Sequence, residues 1–354
     1  MSGDWAYGPA AVDPDCWSRS FRVVSYNTLA QAYVRSEYFP HCPRAELKFA
    51  RRSSQLWRQL QALTADVLCL QEVDWYESGL SEHLHGAGYD SVFHRRTGQK
   101  RDGCCIAVRR ERFALVQAYT WEYNRLAELH DHNERLVRDN VGMAVLLRER
   151  ESGALLLVAT THLFWDPHDP DVKVAQAAQY VREVVDVAEQ HDAPPIVLTG
   201  DLNATPDSAV LQLLLSGKTA MPLPLPPSPQ TDSAGEQPPQ QASADPPPST
   251  AGSDLFDEPV SQPVPIGAGE IILLPGGRSF ASAYAAANDG LHDAPWTNRT
   301  PKFSGTLDYI LIEPARLQVV RVLRVPDLRQ ADFFLPNCGY PSDHIPVVAD
   351  LCFS

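Results

Sequence analysis

Positive charge is scarce in this chain. Its 354 residues include 30 Lys and Arg against 44 Asp and Glu, a formal net charge of −14. Such a surface repels polyanions, which excludes non-specific coating of DNA or RNA. Any phosphate-bearing ligand has to be held by a local basic patch or a bound cation. Cysteine is sparse and unpatterned, with seven in all, no CxxC pair and only Cys104 and Cys105 adjacent. Neither a disulfide framework nor a zinc site can be read from that spacing, and reduced thiols are expected. No stretch approaches the roughly 18 apolar residues of a membrane-spanning helix, and Met1 to Ala11 has no basic region followed by an apolar run. The expectation is a soluble, non-secreted protein with no membrane partner.

What is present is an ordinary globular composition, 44% hydrophobic and 21% charged, enough for a sizeable core. The one large shift in composition runs from 217 to 267, where Pro222 to Pro265 hold 13 of the chain's 30 prolines among Ser, Gln, Ala and acids. So little apolar surface cannot offset the entropy of ordering, and the stretch is expected to be a disordered insertion. The remainder divides into an N-terminal extension, 1–20, and one domain, 21–354, that the insertion interrupts. Phe21 to Tyr26, Asp66 to Leu70, Leu155 to Thr161 and Pro195 to Thr199 are short apolar runs with strand character. Further strands are expected at Cys104 to Arg109, Val141 to Arg148, Thr306 to Ile312 and Val347 to Leu351. Helical periodicity marks Arg44 to Leu63 and about Val172 to Glu189. The pattern is α/β without an internal repeat.

Each apolar run ends in a polar signature. These are Asn27, Gln71-Glu72, Thr161-His162 and Gly200-Asp201-Leu202-Asn203, then Asp308-Tyr309 and, ahead of the last strand, Ser342-Asp343-His344. In layered α/β folds ligands bind outside the strand ends, so these six marks can form one site. Glu72, Asp201, Asp308 and Asp343 are hard oxygen donors, with Asn27 and Asn203 beside them and no cysteine, a set suited to Mg²⁺ or Mn²⁺. His162 and His344 add proton traffic. Phosphoester hydrolysis needs such a set: charge neutralisation, an oriented water and an acid for the leaving oxygen. Taken singly, each residue reads equally as a solvated strand end, a turn or a hydrogen-bonded histidine.

In their order the six motifs resemble the endonuclease/exonuclease/phosphatase superfamily, which implies a deoxyribonuclease I-like four-layer sandwich of two mixed β-sheets packed face to face and flanked by helices. Within it the chain is similar to the carbon-catabolite-repressor-type mRNA deadenylases, with nocturnin and angel proteins as nearby relatives. The subgroup marks are Tyr38-Phe39-Pro40-His41-Cys42-Pro43, Asp102-Gly103-Cys104-Cys105-Ile106, Arg138-Asp139-Asn140-Val141-Gly142 and Thr161 through Lys173, which contains Phe164-Trp165-Asp166-Pro167. The resemblance implies that Glu72 is the principal metal ligand, with Asn27 on metal or phosphate and Asp343 on metal-bound water. It makes Asp201 the residue that activates the attacking water and Asn203 a stabiliser of the pentavalent charge. Asp308 would orient His344, and His162 would stabilise or protonate a phosphate oxygen. Pro167 and Phe303 would pinch the terminal adenine, with Asn140 and Trp165 as further substrate contacts.

The implied activity is a Mg²⁺-dependent 3′-exoribonuclease, with Mn²⁺ as the other candidate ion, that shortens poly(A) tails and releases 5′-AMP; the expected compartment is the cytoplasm, with the nucleus as the alternative. Arg95, Arg96, Lys100, Arg101, Arg299 and Lys302 are candidates for holding the RNA backbone, and a targeting protein partner is expected to bring the message. Two other readings stay open: a nocturnin-like phosphatase acting on the 2′-phosphate of NADP(H), and an inactive RNA-binding scaffold.

Overall fold

The computed structural model describes residues 5–7, 14–223, 256–257, 267–288, 290, 292–326 and 333–354. The apolar runs become strands buried on both faces, which is why they read as near-continuous hydrophobic segments and not as alternating ones. The first nine are β1 (Trp5–Tyr7), β2 (Phe21–Asn27), β3 (Val67–Val73), β4 (Tyr89–Arg95), β5 (Gly103–Arg109), β6 (Phe113–Glu122), β7 (Val141–Glu149), β8 (Leu155–His162) and β9 (Ile196–Asp201). One seven-stranded sheet runs in the order β1, Leu317–Leu323, Val347–Phe353, β2, β3, β5, β4. The other runs Phe256–Asp257, β6, β7, β8, β9, Asp308–Ile312, Ala281–Ser282. Both are mixed, because β2 and β3 are parallel, as are β8 and β9, while most neighbours are antiparallel.

Three cores stack these sheets into layers. Val23, Val67, Cys69 and Ile106 of the first sheet meet Val145, Leu156, Val158, Val197 and Ile310 of the second in a shared interior. On the outer face of the first sheet, Leu56, Leu60 and Leu63 of the helix Phe49–Leu63 pack on Val24, Leu68 and Leu70. On the outer face of the second, Val174, Val181 and Val184 of the helix Pro170–Gln190 cover Leu157, Ala159 and Leu198. Each such side chain contributes about 1.5–3 kcal/mol on burial. The result is the four-layer deoxyribonuclease I-like sandwich.

Several boundaries differ from the sequence expectation. The first long helix starts at Phe49, with turns before it, so Arg44 to Lys48 lie outside it. Within the expected N-terminal extension, β1 pairs with Leu317–Leu323, and Pro14–Arg19 is a short helix. Within the proline-rich stretch, Lys218–Ala220 pairs antiparallel with Ile271–Leu273 to make a two-stranded ribbon. The rest of that stretch, 224–266, lies outside the described residues apart from 256–257.

Two local features aim the strand ends at one place. The buried Arg52 donates to the carbonyls of Thr28, Leu29 and Pro341 and to Gln31 Oε1, tying the segment after β2 to the loop before His344. Gly200, at φ 144°, has room only for hydrogen, since a Cβ there would come within 2.2 Å of the Thr161 carbonyl oxygen. This lets β9 lie close against β8 so that His162 and Asp201 sit side by side in register.

Candidate active site

Asn27 is the hinge of the cluster. Its Nδ2 donates at 2.9 Å to Glu72 Oε1 and at 2.9 Å to Asp201 Oδ2, joining the ends of three strands from two sheets. Its Oδ1 accepts from the Leu29 amide, and Ser342 Oγ donates to its carbonyl at 2.7 Å. Glu72 sits at φ 54° in a break of the β3–β5 register, which turns its carboxylate out of the ladder and lets Oε2 accept from the Ala30 amide at 2.9 Å. Asn203 is likewise left-handed, φ 46°, and its amide donates to Asp201 Oδ1 at 2.9 Å. Its side chain donates to the Leu163 carbonyl.

Asp308 stands opposite Asp201 in an antiparallel pair and accepts from His344 Nδ1 at 2.7 Å. The other nitrogen of that ring, Nε2, lies 3.6 Å from Asp201 Oδ2, as does Nε2 of His162. Asp343 lies next to His344 and acts electrostatically on Glu72, His344 and Arg52.

Charge is distributed unevenly over this cluster. Burial, with Asp343 and Asp102 behind it, pushes the Glu72 carboxyl up to about 8. Burial also raises Asp201, against the opposing pull of His162 and His344. Burial alone would lower His344, but Asp308 and Asp201 hold it well above the ordinary histidine value, which favours the imidazolium. His162 is pushed down by burial and is neutral. The Asp201–Asp308–His344 group therefore carries its own counter-charge, whereas Glu72 has no ion-pair partner among the described residues. Asp308 Oδ1 is buried without a hydrogen-bond partner.

One ligand atom from each of Asp201, Asp308 and His344 lies within 4.8 Å of the others, a spacing that admits a cation. All the acidic donors are hard oxygens, and Glu72 is a carboxyl that burial keeps protonated and that a bound cation would ionise. The residues present thus fit a hard divalent ion.

A family model described as "Endonuclease/Exonuclease/phosphatase family" matches residues 24–344, from β2 through His344. The chain belongs to that family. "Carbon catabolite repressor protein 4 homolog 4" of Arabidopsis thaliana is 32% identical over 93% of this chain and 77% of its own length. The "CCR4-Not complex 3'-5'-exoribonuclease subunit Ccr4" of Yarrowia lipolytica is 27% identical over 95% of this chain, which spans only 48% of that subunit. Among solved structures, ANGEL2, "a 2',3'-cyclic phosphatase, in complex with adenosine-2',3'-vanadate", superposes with a TM-score of 0.75 at 27% identity, covering 100% of this chain and 99% of that one. The deadenylase-type branch of the endonuclease/exonuclease/phosphatase family is thereby supported, and with it a hydrolase.

Against that family background, the expected substrate contacts take different positions. Asn140 is 2% exposed; it donates to the His162 carbonyl at 2.9 Å and lies within 3.3 Å of Gln176 Nε2, so it braces His162 from behind. Trp165 is half-buried and Pro167 exposed on the loop after β8. Phe303 is 40% exposed on the turn between Asn298–Arg299 and Ser304–Gly305, a hairpin that bridges to His344 through Asn298. Arg96 points inward. Its guanidinium donates to the carbonyls of Arg138 and Asp139 and lies 3.7 Å from the buried Asp102, which also accepts from Tyr33 at 2.7 Å. A contact between Arg96 and an RNA backbone is therefore not available.

Sequence reading also missed Lys173 and Gln176, buried polar residues on the inner face of the helix Pro170–Gln190. The one available signal was their polarity at positions whose helical neighbours Val172, Val174 and Ala177 are apolar.

Proposed function

We propose that this protein is a cation-dependent phosphodiesterase that trims RNA from its 3′ end, with poly(A) as substrate and 5′-AMP as product. The observation that carries the reading is the convergence of Glu72, Asn27, Asp201, Asp308 and His344 at one end of both sheets, with a hydrogen-bonded Asp308–His344 pair beside a buried Glu72 carboxyl that has no ion-pair partner among the described residues. The exoribonuclease named in the fungal relative and the Trp165-Asp166-Pro167 tract support RNA as substrate.

Glu72, with Asn27 and Asp343, would hold Mg²⁺ or Mn²⁺, which when bound neutralises phosphoryl charge. Asp201 orients water and accepts its proton as the oxygen attacks phosphorus and the bond to the 3′-oxygen breaks, the leaving 3′-oxygen taking a proton from solvent water. Asn203, whose amide has a second N–H, stabilises charge on the pentavalent phosphorus. The His344 imidazolium, fixed by Asp308, faces Asp201 and balances the negative charge that gathers there, and His162 serves an oxygen of the reacting phosphate. Asn140 acts through His162 as a positioning residue. Pro167 and Phe303 offer apolar surface for a terminal base, worth about 1–3 kcal/mol per stacked base. An RNA-targeting partner would supply the attraction that a net charge of −14 withholds.

The similarity to ANGEL2 favours a second reading, hydrolysis of a 2′,3′-cyclic phosphate at an RNA 3′ end. The deciding assay uses 5′-labelled RNAs ending in A, U, C or G tracts, the same RNAs with a 2′,3′-cyclic phosphate, and NADP(H), each with and without Mg²⁺. Stepwise shortening of A tails, abolished by EDTA and by Glu72→Ala, is the expected result. Conversion of the cyclic end without shortening would transfer the protein to the second reading. Phosphate release from NADP(H) alone would overturn both.

A further inference from the structure

A buried lysine stands under the catalytic turn, and the fold gains nothing obvious from its charge. Lys173 is 7% exposed in the first turn of the helix Pro170–Gln190, and its Nζ donates at 2.8 Å to the Asn203 carbonyl. Among the described residues no carboxylate lies within ion-pair distance of it, although Asp166, Asp201 and Asp169 act on it from farther away. Two costs oppose it. Burial disfavours an ammonium and holds its pKa below the ordinary lysine value. The first turn of a helix also carries the positive end of the helix dipole, where a cation is unwelcome. A methionine would fill the same space without either cost.

The ammonium meets the backbone where the chain is least relaxed. Asn203 is a non-glycine residue in the left-handed region at φ 46°, and that conformation lets its amide reach Asp201 Oδ1 and its side chain reach the Leu163 carbonyl. Leu202 is fixed by its amide on the Leu307 carbonyl, next to Asp308. The Asp201 carbonyl accepts from the Leu163 amide and the Ala204 carbonyl from the Tyr309 hydroxyl, and between them Lys173 holds the carbonyl of the left-handed residue itself. One helical turn on, Gln176 accepts from the Phe164 amide and contacts Asn140, which braces His162. The same helix face thus supports both flanks of the site.

We propose that Lys173 is a positioning residue of the hydrolytic site, locking the left-handed Asp201–Asn203 turn through its bond to the Asn203 carbonyl. The proposal rests on the hydrolytic reading given above, since it assigns Lys173 to the support of Asp201 and Asn203. It acts on the reacting phosphate only through those residues, so its loss should lower kcat and leave KM nearly unchanged.

The test compares the full chain with Lys173→Met, which keeps the volume, Lys173→Gln, which keeps a donor without charge, and Lys173→Arg. Steady-state kinetics on a 5′-labelled oligoadenylate are read beside hydrogen exchange at the Leu202 and Asn203 amides. Lys173→Met is expected to lower kcat by about 30-fold or more with KM within about threefold, and to speed exchange at those two amides selectively. Lys173→Arg should recover most of both, and Lys173→Gln should fall between. If Lys173→Met does not fold, Lys173→Gln carries the same comparison.

Unchanged kcat in a folded Met or Gln variant would overturn the proposal, as would a uniform rise in exchange across the second sheet. Were the wild-type chain inactive on RNA, the functional reading would fall separately. The exchange at Asn203 would still decide whether Lys173 holds the turn.

Discussion

Glu72 offers the sharpest test at the scale of single residues. Its carboxyl is pushed up to about 8 by burial and by neighbouring acids, from an unfolded value of about 4.3. Between those values the folded protein holds a proton that the unfolded chain has released, so stability falls as pH rises through that window. In EDTA, Tm of the wild type should therefore drop from pH 5 to pH 8 more steeply than Tm of Glu72→Gln. Mg²⁺ should flatten the wild-type curve and leave the variant's unchanged, and parallel curves for the two proteins would refute the assignment.

His344 has the same sign in a higher pH window. Its pKa is raised by Asp308 and Asp201, so its stabilising contribution is full below about 6.5 and disappears only as pH climbs through the folded value. Asp308→Asn should lower the imidazole pKa, read by NMR, and reduce kcat by about 10²–10⁴-fold, as removal of an orienting carboxylate does in other histidine sites.

The residues that the sequence made legible are those at strand ends, because the polar signature after each apolar run needs no knowledge of packing. Arg96 and Asn140 are buried, which their neighbours in the sequence do not disclose. Only the tertiary structure shows an arginine turned onto the Arg138 and Asp139 carbonyls, or an asparagine placed behind His162.

Among the elements, the contact between β8 and β9 decides whether the site assembles. Gly200→Ala would drive a methyl group into the Thr161 carbonyl oxygen at 2.2 Å and demand a positive φ from alanine. The pair must then separate or slip where His162 meets Asp201. An expected loss of about 2–4 kcal/mol in stability, measured by urea denaturation, should accompany loss of detectable turnover. A variant with full activity would show that the register of these two strands is not what positions the histidine.

Long elements were readable: β7, β8 and the helix Pro170–Gln190 differ from their expected bounds by a residue or two. Tyr89–Arg95, Phe113–Glu122 and Leu317–Leu323 escaped notice. The first and third alternate weakly between buried and half-exposed positions, and the second is broken by a register shift after Leu115, so no clean period survives. β1 and Lys218–Ala220, three residues each, are too short for any periodic signal and exist because a longer partner strand receives them.

At the scale of the whole molecule, the proline-rich stretch departs from the sandwich between two strands that pair with each other. Lys218 faces Leu273 and Ala220 faces Ile271, while the Met221 amide donates to Glu270 and the Gly269 amide donates back to Met221. Replacing residues 224–254 by a short Gly-Ser linker, which spares the Phe256–Asp257 strand beside β6, should leave Tm within about 2 °C and kcat on oligoadenylate within about twofold. A larger fall in either would mean that the stretch takes part in folding or catalysis.

The clasp formed by that ribbon bears on how the chain can change in length. Closing a loop costs entropy that grows only with the logarithm of its size, about 0.6 kcal/mol for each doubling. Once Met221 and Glu270 are joined and Phe256–Asp257 lies beside β6, the catalytic sandwich is almost indifferent to how many residues pass between Leu223 and Phe256. Insertions and deletions there would be nearly silent to natural selection on stability, so this point can drift freely while the strand ends that carry the chemistry stay fixed.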